Sequence, residues 1–349
     1  MVNPAYDLYE DVLELLAPVD SISNHGPMAA EAICALGRPE ATVRWTEEYI
    51  RRSPFLKARP SPTDRIHENN WQNALGKYGR FADWAYFFAI QMEEVPWQKL
   101  LDQWIARLAP GFAAIALHGP IRTCHAVRAL TERDTPLRRK ELANGLAHWA
   151  AGYQTMPAGT DGGKSDVLPS RRLPMLETLP PERRPAPTNL VQALKDLNDF
   201  PPFLESVGSN LSSISSEAFL SDLTETLAHS YAVNATDFLS VLGFVHAVTA
   251  PSGLRMIAPV LSPETLRSAT GYAWQAAAGM YVRFGGNSSE REPPVEHLDV
   301  DELIDRAIAG SDEHAIKYTE ACLREHALNP QPSYLVAAPM AVSFLSARR

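Results

Sequence analysis

Apolar residues recur along most of the chain at steps of three and four, the spacing that gathers them on one face of an α-helix. Tyr6, Tyr9, Val12, Leu13 and Leu16 form one such stripe, and Trp97, Leu100, Leu101, Trp104, Ile105 and Leu108 form another. Trp84, Phe87, Phe88, Ile90 and Met92 belong to a strongly apolar segment between them, and the pattern continues through residues 219–227, 238–248, 263–281 and 300–309. Period-two alternation bounded by hairpin turns is scarce. The spacing predicts an all-α, mainly helical fold: a single compact multi-helix domain over residues 1–349, enclosing a central active-site cavity.

The helical pattern breaks over residues 156–187, which hold the sequence AGTDGG and prolines at 157, 169, 174, 180, 181, 185 and 187. Proline fixes φ and lacks an amide hydrogen, so this stretch is expected to be a long loop within the one domain, of the kind that acts as a linker or a lid. A second, shorter polar loop is expected at residues 285–294. No repeat of 20–50 residues stands out. One triplet does recur: His25-Gly26-Pro27 and His118-Gly119-Pro120, each ahead of a helical stretch. Proline suits the first helical position, so each histidine is expected at a helix mouth. There the positive end of the dipole favours neutral imidazole, the form that binds metal.

Composition narrows the classes. The chain is 45% hydrophobic and 21% charged, as expected of a protein that folds by itself. A formal charge of −9 argues against nucleic acid as a partner. The start, MVNPAYDLYEDVLELLAPV, is acidic where a signal peptide needs a basic head. The longest apolar stretches, 111–117 and 241–248, fall short of the roughly 20 residues of a bilayer span, so no membrane helix is expected. Three scattered cysteines fit a reducing compartment. A cytoplasmic location follows as the expectation. There is no GxGxxG after a strand, no Walker A sequence, no HExxH, CxxC or GxSxG.

Several histidines carry chemistry. His246 sits in the apolar run VLGFVHAVTA, where an imidazole must find a hydrogen-bond partner or a metal. His314 and Lys317 are three apart on one expected helix face. A protonated lysine repels a metal, and the pair becomes a site only if the amine is buried, loses its proton and reacts with CO₂ to give a carbamate. His118 and His125 are about two helical turns apart, so both could reach one ion only through a bend at Gly119-Pro120; His125 is the first substitute should another histidine not bind, and otherwise lies behind the ligands or at a substrate. His67, His148, His297 and His326 lie in polar or uninformative contexts, and His229 is undecided.

The motifs Ser23-Asn24-His25-Gly26-Pro27-Met28-Ala29-Ala30-Glu31-Ala32, Phe81-Ala82-Asp83-Trp84, Arg107-Leu108-Ala109-Pro110-Gly111, residues 118–130 (HGPIRTCHAVRAL), His246-Ala247-Val248-Thr249 and residues 312–322 together resemble the questin oxidase family, in order and over most of the chain. The resemblance implies oxidative carbon–carbon cleavage of an anthraquinone-type aromatic polyketide, Baeyer–Villiger-like in outcome and NADPH-dependent in some members. Related ring-opening enzymes suggest non-heme iron held by four histidines and a carboxylated lysine. By this resemblance His25, His118, His246 and His314 are the imidazole ligands and Lys317, as its carbamate, the oxygen ligand. O₂ is then the co-substrate, His125 the catalytic residue that moves a proton, and Trp84, Phe87 and Phe88 the rings that receive the substrate. NADPH would reduce the quinone beforehand. Two other classes fit the same residues: a metal-free oxidase using His118 and His125 as acid and base, and a helical protein that binds an aromatic polyketide without turning it over.

Overall fold

Short polar side chains and prolines set the helix boundaries. Thr135, Ser215, Asp237, Ser262, Asp299 and Asp312 each occupy an N-cap and accept a hydrogen bond from a first-turn amide, satisfying donors that a helix leaves unpaired. The computed structural model describes residues 4–21, 24–157, 159–160, 162–184, 189–211, 213–286 and 299–347. In chain order the helices are α1 (Tyr9–Leu16), α2 (Gly26–Ala35), α3 (Pro39–Arg52), α4 (Phe81–Glu94), α5 (Trp97–Leu108), α6 (His118–Glu132), α7 (Pro136–Ala151) and the short α8 (Pro169–Arg172), α9 (Leu190–Lys195) and α10 (Pro201–Ser206). There follow α11 (Ser216–Asn234), α12 (Phe238–Ile257), α13 (Pro263–Phe284), α14 (Val300–Gly310), α15 (Glu313–Leu328) and α16 (Pro332–Ser346). The only sheet among the described residues is a two-residue antiparallel pair, β1 (Val19–Asp20) with β2 (Lys57–Ala58). The helical expectation holds.

Two cores organise these helices. The larger runs through α4–α7 and the later helices, with α12 at its heart, packed on α6, α11, α13 and α15. The smaller gathers Tyr9, Val12, Ile33, Trp45 and Tyr49 from α1–α3, closed by Ala129 of α6 and Ile316 of α15. A run spanning Phe238–Val260 is long and apolar enough to cross a membrane, and 78% of its apolar window is buried against the other helices. Its apolarity belongs to a core position. Helices α6 and α7 approach closely at Gly119, where a Cβ would stand 2.7 Å from the Trp149 Cα; only glycine fits that contact.

The segment expected as one long loop contains α8 and single helical turns at Leu173–Met175 and Pro181–Arg183. It is fastened to the core: Leu173 and Leu179 are buried, the Leu179 amide bonds the Val282 carbonyl, and the Arg172 guanidinium lies 4.5 Å from the Trp274 ring centre. Prolines ended each turn early but left apolar side chains to pack. Residues 158, 161 and 185–187 of this segment, residues 287–294 of the second expected loop, Ser23 and His297 lie outside the described residues. The expected cavity at the centre is not where the large described cavities occur. Two of about 700 Å³ lie between α4 and α7 and between α3 and α14.

Candidate metal centre

Four helices deliver the site. His25 caps the N-terminus of α2, its amide donating to the Tyr49 hydroxyl at 2.8 Å. His118 is the first residue of α6, so the proline of its triplet stands two residues inside the helix and not at its mouth. The chain reaches His118 through Ile115, Ala116 and Leu117, whose φ values of 50°, 50° and 73° are all left-handed. Each such non-glycine residue costs roughly 1–2 kcal/mol, and strain of this kind persists where the fold needs a particular aim. Here it turns the Ile115 carbonyl back onto His118, whose Nδ1 lies 2.6 Å from it. Nδ1 must then carry the proton, leaving the Nε2 lone pair for another partner. His246 sits in the middle of α12, and His314 and Lys317 lie on the first two turns of α15.

The rings converge. Centroids are 4.6 Å apart for His25–His118 and His25–His314, 4.3 Å for His118–His246 and 5.2 Å for His246–His314. His25, His118 and His314 form a group that could hold a metal ion, one nitrogen from each lying within 4.8 Å of the others. Two nitrogens bound to one ion at about 2.1 Å each stand at most about 4.2 Å apart, so the rings need draw together by less than about 1 Å. His246 lies outside that tight group but abuts it through His118.

The donor set suits a cation. Nε2 of His118 and both ring nitrogens of His246 are buried with no hydrogen-bond partner in the described structure. Each such orphan costs on the order of 1–3 kcal/mol unless something binds it. Burial, reinforced by the neighbouring Lys317 for His25 and His118 and by His118 for His246, holds all three imidazoles well below their ordinary pKa. They are neutral at pH 7, as ligation requires. Behind His314, the Asp312 carboxylate stands 3.4 Å from Nδ1, the pairing that commonly orients ligating imidazoles. Lys317 is 1% exposed, with Nζ 3.0 Å from His25 Nδ1. Burial pushes its pKa down to about 8 although Glu313 and Asp312 oppose the shift, and it forms no ion pair among the described residues.

The other expected site residues are placed as follows. His125, two turns along α6, directs Nδ1 at Glu31 Oε2, 2.6 Å away. Glu31 also accepts from Arg128 and from the Tyr6 hydroxyl, and Arg128 reaches on to Glu320. Glu31, His125, Arg128 and Glu320 of this buried ionic layer lie on three of the four helices that carry the histidines, α2, α6 and α15. Trp84, Phe87 and Phe88 are buried on α4 and packed on one another and on Trp104, with centroids 4.9–5.8 Å apart. These rings belong to the larger core. His229 is exposed on α11, and His148 is buried against Arg122. Sequence reasoning passed over Glu31, although a lone carboxylate in the apolar helix MAAEAICA is the signal of a buried, paired charge. No family model matches the chain, and no curated protein matches it.

Proposed function

We propose that this protein is a metal-dependent oxygenase that opens a ring of an electron-rich aromatic polyketide of the anthraquinone or anthrol type, with non-heme iron as its metal and O₂ as co-substrate. The observation that supports it is the meeting of four imidazoles from four helices, three of whose nitrogens are orphaned among the described residues, around a buried lysine that forms no ion pair among them. His25, His118, His246 and His314 would hold the ion through nitrogen. Lys317 would hold it through a carbamate oxygen, formed when Nζ adds to the carbon of CO₂ and one proton leaves. A bound iron ion supplies a redox-active Lewis acid at which dioxygen and an oxygenated ring can meet. The protein's own part is to keep the His25, His118 and His246 imidazoles neutral, exclude water, and fix the His118 ring through the Ile115 carbonyl. His125, its tautomer set by Glu31, is the residue we assign to move a proton at Nε2. NADPH enters this scheme only as an external reductant of the quinone.

Elemental analysis of protein purified without a histidine tag tests the reading. About one equivalent of iron per chain is expected, lost in Lys317→Ala and in His118→Ala, with oxygen uptake on a reduced anthraquinone lost in parallel. Full oxygen uptake after chelation would select the metal-free oxidase, and tight binding of the polyketide without oxygen uptake would select a carrier.

A further inference from the structure

The cavity between α4 and α7 has about 700 Å³ of free volume, within the range of small-molecule sites. Its walls are largely apolar, with Ala85, Ala89 and Met92 on one side and the ring of Tyr86, 43% exposed, at the opening. Its polar groups are unevenly charged: Arg59, Arg139 and Lys140 against Glu93 and Asp134, on a chain that is acidic overall. Arg139 and Asp134 satisfy each other through two hydrogen bonds. Arg59 is fixed in place by the Ala17 carbonyl, Asn144 and Asp20. The Ala17 and Asn144 contacts are hydrogen bonds and the Asp20 contact is an ion pair, so the five-donor guanidinium keeps N–H groups free of hydrogen bonds among the described residues, on a rigid, partly exposed head. Lys140 has no ion pair among the described residues. Among the described residues, a gap of about 20 Å³ continues inward beyond Arg59 and Asn144, to Asn24 and Pro27 on either side of His25. That is room for about one water, so an organic molecule in the cavity stays there.

We infer that this cavity is a binding site for a small organic anion with a flat apolar body, an aromatic carboxylate or phenolate, held by Arg59 and Lys140 with its ring beside Tyr86. The site is distinct from the metal centre and does not depend on the oxygenase reading.

Equilibrium dialysis of the full-length protein, stripped of metal by chelation, tests it with three probes: naphthalene-2-carboxylate, 2-naphthylmethanol and 2-naphthylmethylammonium. The carboxylate should bind at least about tenfold more tightly than the alcohol, the scale of one charge-assisted hydrogen bond, and the ammonium should not bind. Lys140→Glu should remove the preference for the carboxylate, and Tyr86→Ala should weaken carboxylate and alcohol alike. Both side chains are exposed, so both variants should fold. Equal affinity for all three probes, no binding of any, or affinities unchanged in both variants would overturn the inference. So would carboxylate binding that arises only when iron is restored; that outcome would place the probe on the metal and leave the oxygenase reading standing.

Discussion

His246 brings two ring nitrogens into the middle of α12 with a partner for neither among the described residues, an arrangement that stability alone would not produce. Replacing it with leucine should raise the stability of the metal-free protein by about 1 kcal/mol or more, read as the midpoint of urea unfolding, while any metal retained after dialysis falls. A loss of stability would mean that the imidazole is already satisfied. The sequence announces this residue, because a histidine inside VLGFVHAVTA stands out chemically. Glu31 stands out in the same manner. Lys317 does not: EHAIKYTEAC reads as an ordinary amphipathic helix, and the amine is buried because α2 and α12 pack over α15, contacts made by distant parts of the chain. The aromatic run on α4 is not distinguished by sequence either, since rings that pair with Trp104 and rings that receive a ligand have the same spacing.

At the scale of elements, the three left-handed residues before α6 act as one device that aims His118. Ala116→Gly removes the steric cost at its φ of 50° and should stabilise the metal-free fold by roughly 1 kcal/mol, yet slacken the ring and weaken metal binding at the candidate site. Differential scanning calorimetry and a competitive chelator titration would read the two effects separately, and a tighter site in this variant would refute the aiming role. Gly119→Ala forces a methyl onto the Trp149 backbone and should cost about 1–3 kcal/mol. Helix positions were legible in the periodicity, and both His-Gly-Pro triplets did mark helix starts. That the two starts point at one spot was not legible, because the convergence depends on interhelical angles set by close contacts such as the one at Gly119. The proline-rich stretch reads as loop for a similar reason: local sequence shows where turns end, not which side chains the core then accepts.

For the molecule as a whole, the buried ionic layer makes stability depend on acid. Burial alone would raise the Glu31 pKa, but Arg128 and His125 outweigh it and hold the carboxyl down at about 2, against an ordinary 4.5. Between those values the unfolded chain binds more protons than the folded one. The stabilisation from Glu31 is therefore complete above about pH 4.5 and is lost as pH falls toward 2. Urea unfolding at pH 6 and pH 3 should show a marked loss for the natural protein and a smaller one for Glu31→Gln; equal losses would disprove the assignment. The touching side chains of His25 and Lys317 are 292 positions apart, which has a kinetic consequence. Closing so long a stretch of chain is among the slowest events in assembly, so a nascent or half-assembled chain lacks the gathered candidate ligands, and any uptake of an ion there would be a clock that starts only when both ends have met.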